Sequence, residues 1–588
     1  MADQTKATTT PPLMNIGAPK SCSIARMSRP EEGAPIEPKA TCVVKCCTSS
    51  IKVGLTKRSL SLRIRTEGSS MGDQLTSAMP KRELYFVFGA LMLGMLLAAL
   101  DGTIVSTALP IIVGDLHGAN HLSWVVVAYL LASTVSTPLW GKLGDLHGRK
   151  VYFQAAIVVF LVGSMLCGLA HSMLALILFR ALQGLGGGGL MVGAQAVIAD
   201  IVPPRDRGRY AGFFGAVFGA ATVLGPLLGG FIVEQWSWRW IFFVNVPFGI
   251  VALLVTAAAL PGAGARVQHV IDYAGIVTLT IAASGLILFT SLGGTSFAWL
   301  SGKSLGLLAV GLLFTGLFVM FERRSPEPIL APRLFKNRVF TSASAIGFVV
   351  GFAMFGAMTF LPLYFQDVRG TTPTDSGLRL LPMMVGLFGA SIITGQLVSK
   401  GRKYRPFPIV GTAVMTVGLG LLGTVSDTSS LLMMGFYMFV LGSGIGFVMQ
   451  ILVTAVQNAV NHEDVGAATA GANFFRSIGG SFGTAVFGAL FANELPRKLA
   501  AGFKGQNIPT GNFSISQLTP ATLKKLPPDI FHIVIHSLAS TIQSIYVWAI
   551  PVGAIAFLLS LTLPEVKLRE HLHPVADEVP MSNIDPPL

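Results

Sequence analysis

The sequence predicts an all-α polytopic membrane protein: two related six-helix bundles with two further helices between them. Three observations predict it. Of the 588 residues, 52% are hydrophobic and 12% are charged, about half of the roughly 25% charge of a soluble domain. From Leu84 onward the chain is a succession of apolar stretches, most near the 20 residues that carry a helix across a bilayer. The chain also repeats itself at an offset of 254 residues (Gly141 to Gly395) and 258 residues (Gly208 to Gly466). The low charge excludes a soluble multidomain enzyme. The 66 glycines show no collagen period, which excludes a fibrous protein.

Residues 1–82 differ from the rest. They are rich in Pro, Ser, Thr, Lys and Arg without a sustained period, and read as a disordered basic tail. No apolar region there ends in a cleavage site, so no secretory signal is expected. Met71, just upstream of the first apolar stretch, is an alternative start. Five cysteines are too few for a disulfide framework. Cys22, Cys42, Cys46 and Cys47 lie in the tail, without paired metal-ligand spacing, and Cys167 lies in an apolar stretch.

Fourteen spans follow, at 84–113, 122–141, 151–171, 174–201, 208–233, 238–260, 271–293, 304–321, 340–366, 376–398, 407–425, 429–459, 465–492 and 544–563. They give an N-terminal six-helix bundle over 84–260 and two inserted helices over 271–321. A C-terminal bundle over 340–563 and a tail over 564–588 complete the chain. Only the 493–543 connection is long. It ends in an amphipathic stretch with Ile530, Phe531, Val534, Ile535 and Leu538 at helical spacing.

Orientation follows from the basic residues. The formal net charge is +14, but the basic residues lie in short loops, so they read as orientation signals and not as nucleic-acid contacts. One set of loops holds Lys142, Arg149, Lys150, Arg205, Arg207, Arg209, Arg323, Arg324, Arg333, Lys336 and Arg338, then Lys400, Arg402, Lys403 and Arg405. The short loops of the other set hold little beyond Arg239, Lys303 and Arg369. The first set and both termini are expected in the cytoplasm, and the 493–543 loop outside.

The repeat has two parts. GKLGDLHGRK at 141–150 is echoed by GQLVSKGRK at 395–403, and AVIADIVPPRDRG at 196–208 by AVQNAVNHEDVG at 455–466. Two parallel halves around a central site are one way to build a secondary transporter. Enzyme signals are weak by comparison. The glycines of 184–189 lie inside an apolar helix and no GxxxxGK[ST] loop is present, so no phosphate-binding site is expected. His532 and His536 lack a third metal ligand, and Asn512 is a glycosylation acceptor only in a host that glycosylates.

Five motifs are specific in combination: LDGTIVSTALP at 100–110, GKLGDLHGRK at 141–150, RALQG at 180–184, GPLLGG at 225–230 and WRWIFFVNVPFG at 238–249. They resemble the major facilitator superfamily, and within it the fourteen-span drug:proton antiporters of the EmrB/QacA type found in bacteria. The resemblance covers about residues 84–565 and excludes the tail. It implies the major facilitator fold in the cell membrane. It further implies proton-coupled export of amphipathic, lipophilic or cationic compounds by alternating access. Partners would be a small-molecule substrate, protons and the bilayer, with no cofactor, metal or enzymatic activity. Relatives in double-membrane bacteria work with an adaptor protein; no residue here identifies one. The same scaffold also carries dedicated exporters of a metabolite, peptide, siderophore or lipid, and a receptor or scaffold without transport is the reading of another class.

Site residues follow from the motifs. Asp101 lies 17 residues into the first span, roughly 25 Å along it. An intramembrane carboxylate needs a cavity or a partner. Arg180, in the outer half of the fourth span, is expected to couple with it in proton exchange. In the 141–150 loop Gly141 and Gly148 allow a tight turn, Asp145 suits a helix N-terminus, and Arg149 and Lys150 hold the cytoplasmic face. The resemblance makes this loop a gate in which Arg149 reaches Asp200; the second-half echo has Ser399 in place of Asp145. Gly212, Ala221, Gly225, Pro226, Gly229 and Gly230 form the pattern the family links to export, with Ala221 where the strict pattern has glycine. Gln183, Gln195, Asn245, Gln366, Gln450, Gln457, Asn458 and Asn473 are candidates for the substrate cavity. Arg379 and Arg476, each near a span end, are expected to snorkel to the interface.

Overall fold

Two units make up the computed structural model, residues 1–80 and 81–588. It describes residues 41–46, 49–54, 63–67, 81–116, 122–202, 204–260, 272–293, 297–503 and 527–568. The first unit holds β1 (Thr41–Cys46), β2 (Ser49–Gly54) and β3 (Arg63–Glu67), an antiparallel sheet in that order with Val43 opposite Lys52 and Ile51 opposite Thr66. This differs from the expected lack of regular structure over 1–82. The strands are five or six residues long and use β-branched residues, too short for a periodicity to stand out.

The second unit is helical. Its first half holds α1 (Lys81–Asp115), α2 (Leu122–His147), α3 (Arg149–Gly168), α4 (Met173–Ile201), α5 (Pro204–Gln235), the single turn α6 (Trp240–Phe243) and α7 (Asn245–Ala259). Next come α8 (Tyr273–Leu292), α9 (Gly302–Glu322) and the short α10 (Pro332–Lys336). The second half holds α11 (Arg338–Leu363), which runs into a π-turn over Tyr364–Val368, then α12 (Pro373–Arg379), α13 (Leu381–Ser399), α14 (Pro406–Leu422), α15 (Leu431–Ala459), α16 (Val465–Gly502) and α17 (Pro528–Leu561). Side-chain caps start several of them. Ser172, Asp272, Ser301, Asn337 and Ser430 accept from backbone N–H groups at the starts of α4, α8, α9, α11 and α15.

Twelve of these helical segments are long and apolar enough, among the described residues, to cross a membrane. The two expected spans outside that set are α5, many of whose side chains lie outside the described residues, and α14, which has only 17 residues. The span expected over 238–260 is broken into α6 and α7 at Val244.

Packing repeats between the halves. In the first, α2 and α3 pack on α4, and α1 packs on α5 and α7. In the second, α13 and α14 pack on α15, and α11 packs on α16 and α17. The halves meet where α2 lies along α16 and α5 along α13. The inserted α8 and α9 pack on each other, and α8 also touches α2 and α16.

The connection expected over 493–543 is helical at both ends. α16 runs on to Gly502 and α17 begins at Pro528; residues 504–526 and Asn512 among them lie outside the described residues. Leu495, Leu499 and Phe503 join the core of the second half together with Val534, Ile535 and Leu538. Lys498 Nζ donates to Ser540 O at 2.7 Å and to Ser544 Oγ at 2.6 Å, fastening the two extensions.

Polar stitches close the basic end of the bundle. Lys150 Nζ donates to Ala257 O and Leu260 O, both at 2.6 Å, at the end of α7. Arg405 repeats this in the second half, donating to Leu561 O at 2.9 Å at the end of α17. Such cations satisfy carbonyls that a helix end leaves open. The segment after α17 returns the contact: Glu565 accepts from Tyr404 N at 3.1 Å and Arg405 N at 3.0 Å, and Tyr404 Oη donates to Pro564 O at 2.7 Å. Glu322, buried at the end of α9, accepts from Ile329 N at 3.1 Å and Leu330 N at 3.2 Å and so shapes the elbow before α10. Replacing Glu322→Ala leaves two buried N–H groups without partners, at a cost of about 1–3 kcal/mol each. Thermal unfolding of the purified variant is expected to show a midpoint several degrees lower; an unchanged midpoint would mean the elbow does not need the carboxylate.

Candidate functional site

An ion pair lies inside the first half. Asp101 on α1 and Arg180 on α4 are each 1% exposed, and Arg180 Nη1 donates to Asp101 Oδ2. A wet Asp101 at the mouth of the bundle is therefore excluded. Gln183, one turn after Arg180, bridges the pair. Its Oε1 accepts from Arg180 Nη1 at 2.8 Å and its Nε2 donates to Asp101 Oδ1 at 2.7 Å. Gln183 also donates to Ser164 Oγ on α3 at 3.1 Å, and Asn245 Nδ2 on α7 donates to the same oxygen at 3.0 Å. Ser164 in turn donates to Phe242 O at 2.9 Å, which uses the hydroxyl's one donor and both acceptor positions. Arg180 stacks on Tyr129 of α2, 4.3 Å from the ring centroid, while Tyr129 Oη donates to Ala98 O at 3.2 Å.

The pair thus ties α1, α2, α3, α4 and α7 into one network. Two amides expected in the substrate cavity are held here: Gln183 bonds both members of the pair and Asn245 joins the network through Ser164. Ser164 and Tyr129 were not singled out in the sequence; serine and tyrosine in apolar helices are too common to mark a site.

A second cluster joins the halves. Asp145, at the end of α2, accepts from Gly466 N at 3.0 Å and Ala467 N at 2.7 Å, the first turn of α16 in the other half. A carboxylate there meets open N–H groups and the positive end of the helix dipole. Arg149 holds Asp145 at 2.8 Å with Nη2 and donates from Nε to Asp200 at the end of α4. Gly148 sits at the α2–α3 junction with φ 100°, a backbone conformation that suits glycine. At Gly141 a Cβ would fall 2.5 Å from Ala470 Cβ and 2.7 Å from Gly466 O, so α2 and α16 touch through it. Gly144 shares a small cavity with Trp140 and Arg149. Ser399, in the echo of this loop, donates to Gln396 O within its own helix at 2.9 Å.

The export pattern on α5 packs beside the ion pair. A Cβ at Gly225 would strike Thr103 Cβ on α1 at 2.5 Å, and Thr103 Oγ1 donates to Ala221 O at 3.0 Å. Thr103 is two residues from Asp101. Gly229 is buried, whereas nothing lies within 4 Å of a Cβ at Gly230. Gly212 and Pro226 fall within α5, and their surroundings lie outside the described residues.

The remaining polar candidates separate into three groups. Gln195 on α4, Gln457 on α15 and Asn473 on α16 meet between the halves: Asn473 Nδ2 donates to Gln195 Oε1 at 2.7 Å, and Gln457 Nε2 to Thr469 Oγ1 at 3.1 Å. Asn458 donates to Lys567 O at 3.1 Å and fastens the segment after α17. Gln366 donates to Ser376 Oγ at 3.4 Å near the π-turn, and Gln450 Oε1 is buried without a hydrogen bond. Arg379, in α12, has its guanidinium 5.7 Å from the Phe365 ring. Arg476 does not snorkel: it lines a small cavity between α11, α15 and α16 with Gly347, Met449 and Asn473. His536 lies 3.6 Å from Asp427, and among the described residues no group of three His, Cys, Asp or Glu could hold a metal.

Comparison with known proteins places this geometry in context. Residues 91–484 match the model of the Major Facilitator Superfamily. An uncharacterized MFS-type transporter of Mycobacterium tuberculosis is 45% identical over 493 residues, covering 84% of this chain and 71% of the relative. A protein of Bacillus subtilis named multidrug transporter protein MdtP is 38% identical over 502 residues, covering 81% and 92%. Among solved structures, the proton:xylose symporter XylE superposes with a TM-score of 0.53 at 16% identity, covering 83% of this chain and 98% of that one, which shows the shared fold.

The ion pair makes a direct prediction about stability. Arg180→Gln alone leaves a buried carboxylate without its cation, at a cost of about 3–5 kcal/mol. Asp101→Asn combined with Arg180→Gln is expected to recover most of that loss. A thermal-unfolding double-mutant cycle checks it, and simple additivity of the two changes would refute the coupling.

Proposed function

We propose that this chain, which belongs to the Major Facilitator Superfamily, is a proton-coupled antiporter that exports amphipathic compounds. Members of this superfamily are transporters rather than enzymes, and the chain is a multi-pass membrane protein with multidrug and efflux-pump relatives. Within the superfamily we place it among the fourteen-span antiporters, counting α5 and α14 with the twelve longer apolar segments. Both termini and the basic end then lie in the cytoplasm.

The observation that carries the coupling is the sealed Asp101–Arg180 pair. Protonating Asp101 removes its charge and the attraction that holds α1 on α4. It also leaves Arg180 without a counter-ion, so proton uptake must accompany a rearrangement of these helices. α1 meets α5 at Thr103 and Gly225, and α5 packs on α13 of the other half. A change at Asp101 therefore has a short mechanical route across the interface. The Asp145–Arg149–Asp200 cluster closes the cytoplasmic end by capping α16. That supports an arrangement open to the outside, in which cargo leaves and a proton enters. Breaking the cap opens the other side, where cargo enters and the proton leaves.

The test uses proteoliposomes with an imposed pH gradient, loaded with ethidium and a panel of uncharged, cationic and anionic amphipaths. Wild-type protein is expected to move several of them, and Asp101→Asn at least ten-fold more slowly at equal incorporation. Full activity in the variant would remove Asp101 from coupling; no movement of any panel member by the wild type would overturn multidrug export.

A further inference from the structure

Arg476 is a membrane-embedded charge that takes part in neither the coupling network nor the Asp145–Arg149–Asp200 cluster. It lies 11 residues after Val465, where α16 begins, hence about 17 Å along the helix. That is close to the middle of a hydrocarbon core of about 30 Å. A guanidinium at this depth cannot reach an interface and is costly without an anion or water. Three first-half arginines by contrast have carboxylate partners: Arg180 has Asp101, Arg149 has Asp145 and Asp200, and Arg239 has Asp115. Among the described residues no carboxylate lies within ion-pair distance of Arg476.

The cavity beside Arg476 has room in this state for no more than a water or two, so cargo reaches the arginine only when α11 and α15 move apart. Arg476 lines the cavity between α11, α15 and α16, whose other walls are apolar: Val350 on α11, and Val448, Met449 and Leu452 on α15. Asn473, one turn earlier on the same wall, donates to Gln195 and keeps a buried Oδ1 without a hydrogen bond. The arginine stem is held in place. At Gly351 on α11 a Cβ would lie 3.1 Å from Arg476 Cγ, so only the absence of a side chain there lets α11 clamp the base of the arginine. A positioned cation facing an apolar wall of methionine and branched residues forms the site; the open Asn473 Oδ1 can only accept, so it adds nothing to the binding of an acid group.

We propose that Arg476 binds the acidic group of the exported compound, with the apolar walls of α11 and α15 taking its body. The cargo is then an amphipathic organic anion, bearing a carboxylate or sulfonate, and not a lipophilic cation. This rests on the export reading and narrows its substrate class. A guanidinium suits such a group because its planar donors match two acid oxygens at once.

Three probes with one body test it: pyrenebutyrate, pyrenebutanol and pyrenebutyltrimethylammonium. Equilibrium binding is measured on the full chain in lipid nanodiscs, with empty nanodiscs as the blank. The expected result is at least ten-fold tighter binding of the butyrate than of the ammonium probe. Arg476→Gln should weaken the butyrate about ten-fold and leave the alcohol unchanged, and Arg476→Lys should keep most of the preference. Equal binding of the three probes by the wild type would overturn the proposal, as would an unchanged preference in a folded Arg476→Gln. Gradient-driven movement of the bound probe is read separately. Binding with the charge preference but no movement would keep the anion site and sink the export reading. Movement of all three probes alike would keep export and sink the anion site.

Discussion

A carboxylate and a guanidinium removed from water to 1% exposure set the terms for the first half of this protein. Desolvating each ion costs several kcal/mol, and only close pairing with further hydrogen bonds recovers it. The requirement reaches outward from Asp101 and Arg180 to Gln183, then to Ser164 and Asn245, so that four helices must hold their registers for one pair to be satisfied. Small residues around the pair serve the same end. Gly225 brings α5 onto Thr103 without a side chain between them. An apolar pair of the same volume would pack as well without the desolvation cost.

The two halves are related but not equivalent. Each closes its basic end by a cation that reaches the last carbonyls of its sixth span, Lys150 in one and Arg405 in the other. At this corner it is the first half that sends a carboxylate across the interface. Asp145 caps α16, whereas Ser399 bonds within its own helix. Four hydrogen-bonding and ionic contacts therefore converge on one corner, and that corner is made from N–H groups every helix start leaves open. Such a cap is strong when seated and is lost by a small shift, since it depends on alignment with two adjacent N–H groups. The second half differs: its Arg476 lines a cavity and, among the described residues, has no carboxylate within ion-pair distance.

Much of this was legible in the sequence because charge is rare in it. Asp101 and Arg180 stand out as ionisable residues inside apolar runs, and the spacing of GKLGDLHGRK marks Asp145 and Arg149. What the pattern could not provide was partnership. Ser164, Tyr129 and Thr103 are ordinary residues for apolar helices, and only their meeting across helices makes them part of the network. Gln183 and Asn245 were visible as polar residues, but whether an amide faces a cavity or an ion pair depends on helix rotation. Arg476 was misplaced for a different reason. Counted in residues it is near the start of its span, yet eleven residues of helix already amount to about 17 Å. The helical spacing of Ile530, Phe531, Val534, Ile535 and Leu538 announced the early start of α17, whereas the mixed composition after residue 492 hid that α16 runs on to Gly502.

The short segment that follows α17 behaves like a buckle. Glu565 covers the first N–H groups leading into α14, Pro564 O holds Tyr404 Oη, and Lys567 O receives Asn458 from the end of α15. Three helices of the second half are thus fastened by a stretch of chain with no regular structure of its own. For anyone handling this protein the border of the folded unit lies beyond Lys567, not at Leu561 where the last helix stops. A reporter or affinity handle joined directly to the final helix would tear out the fastening, whereas one placed further along would leave it shut.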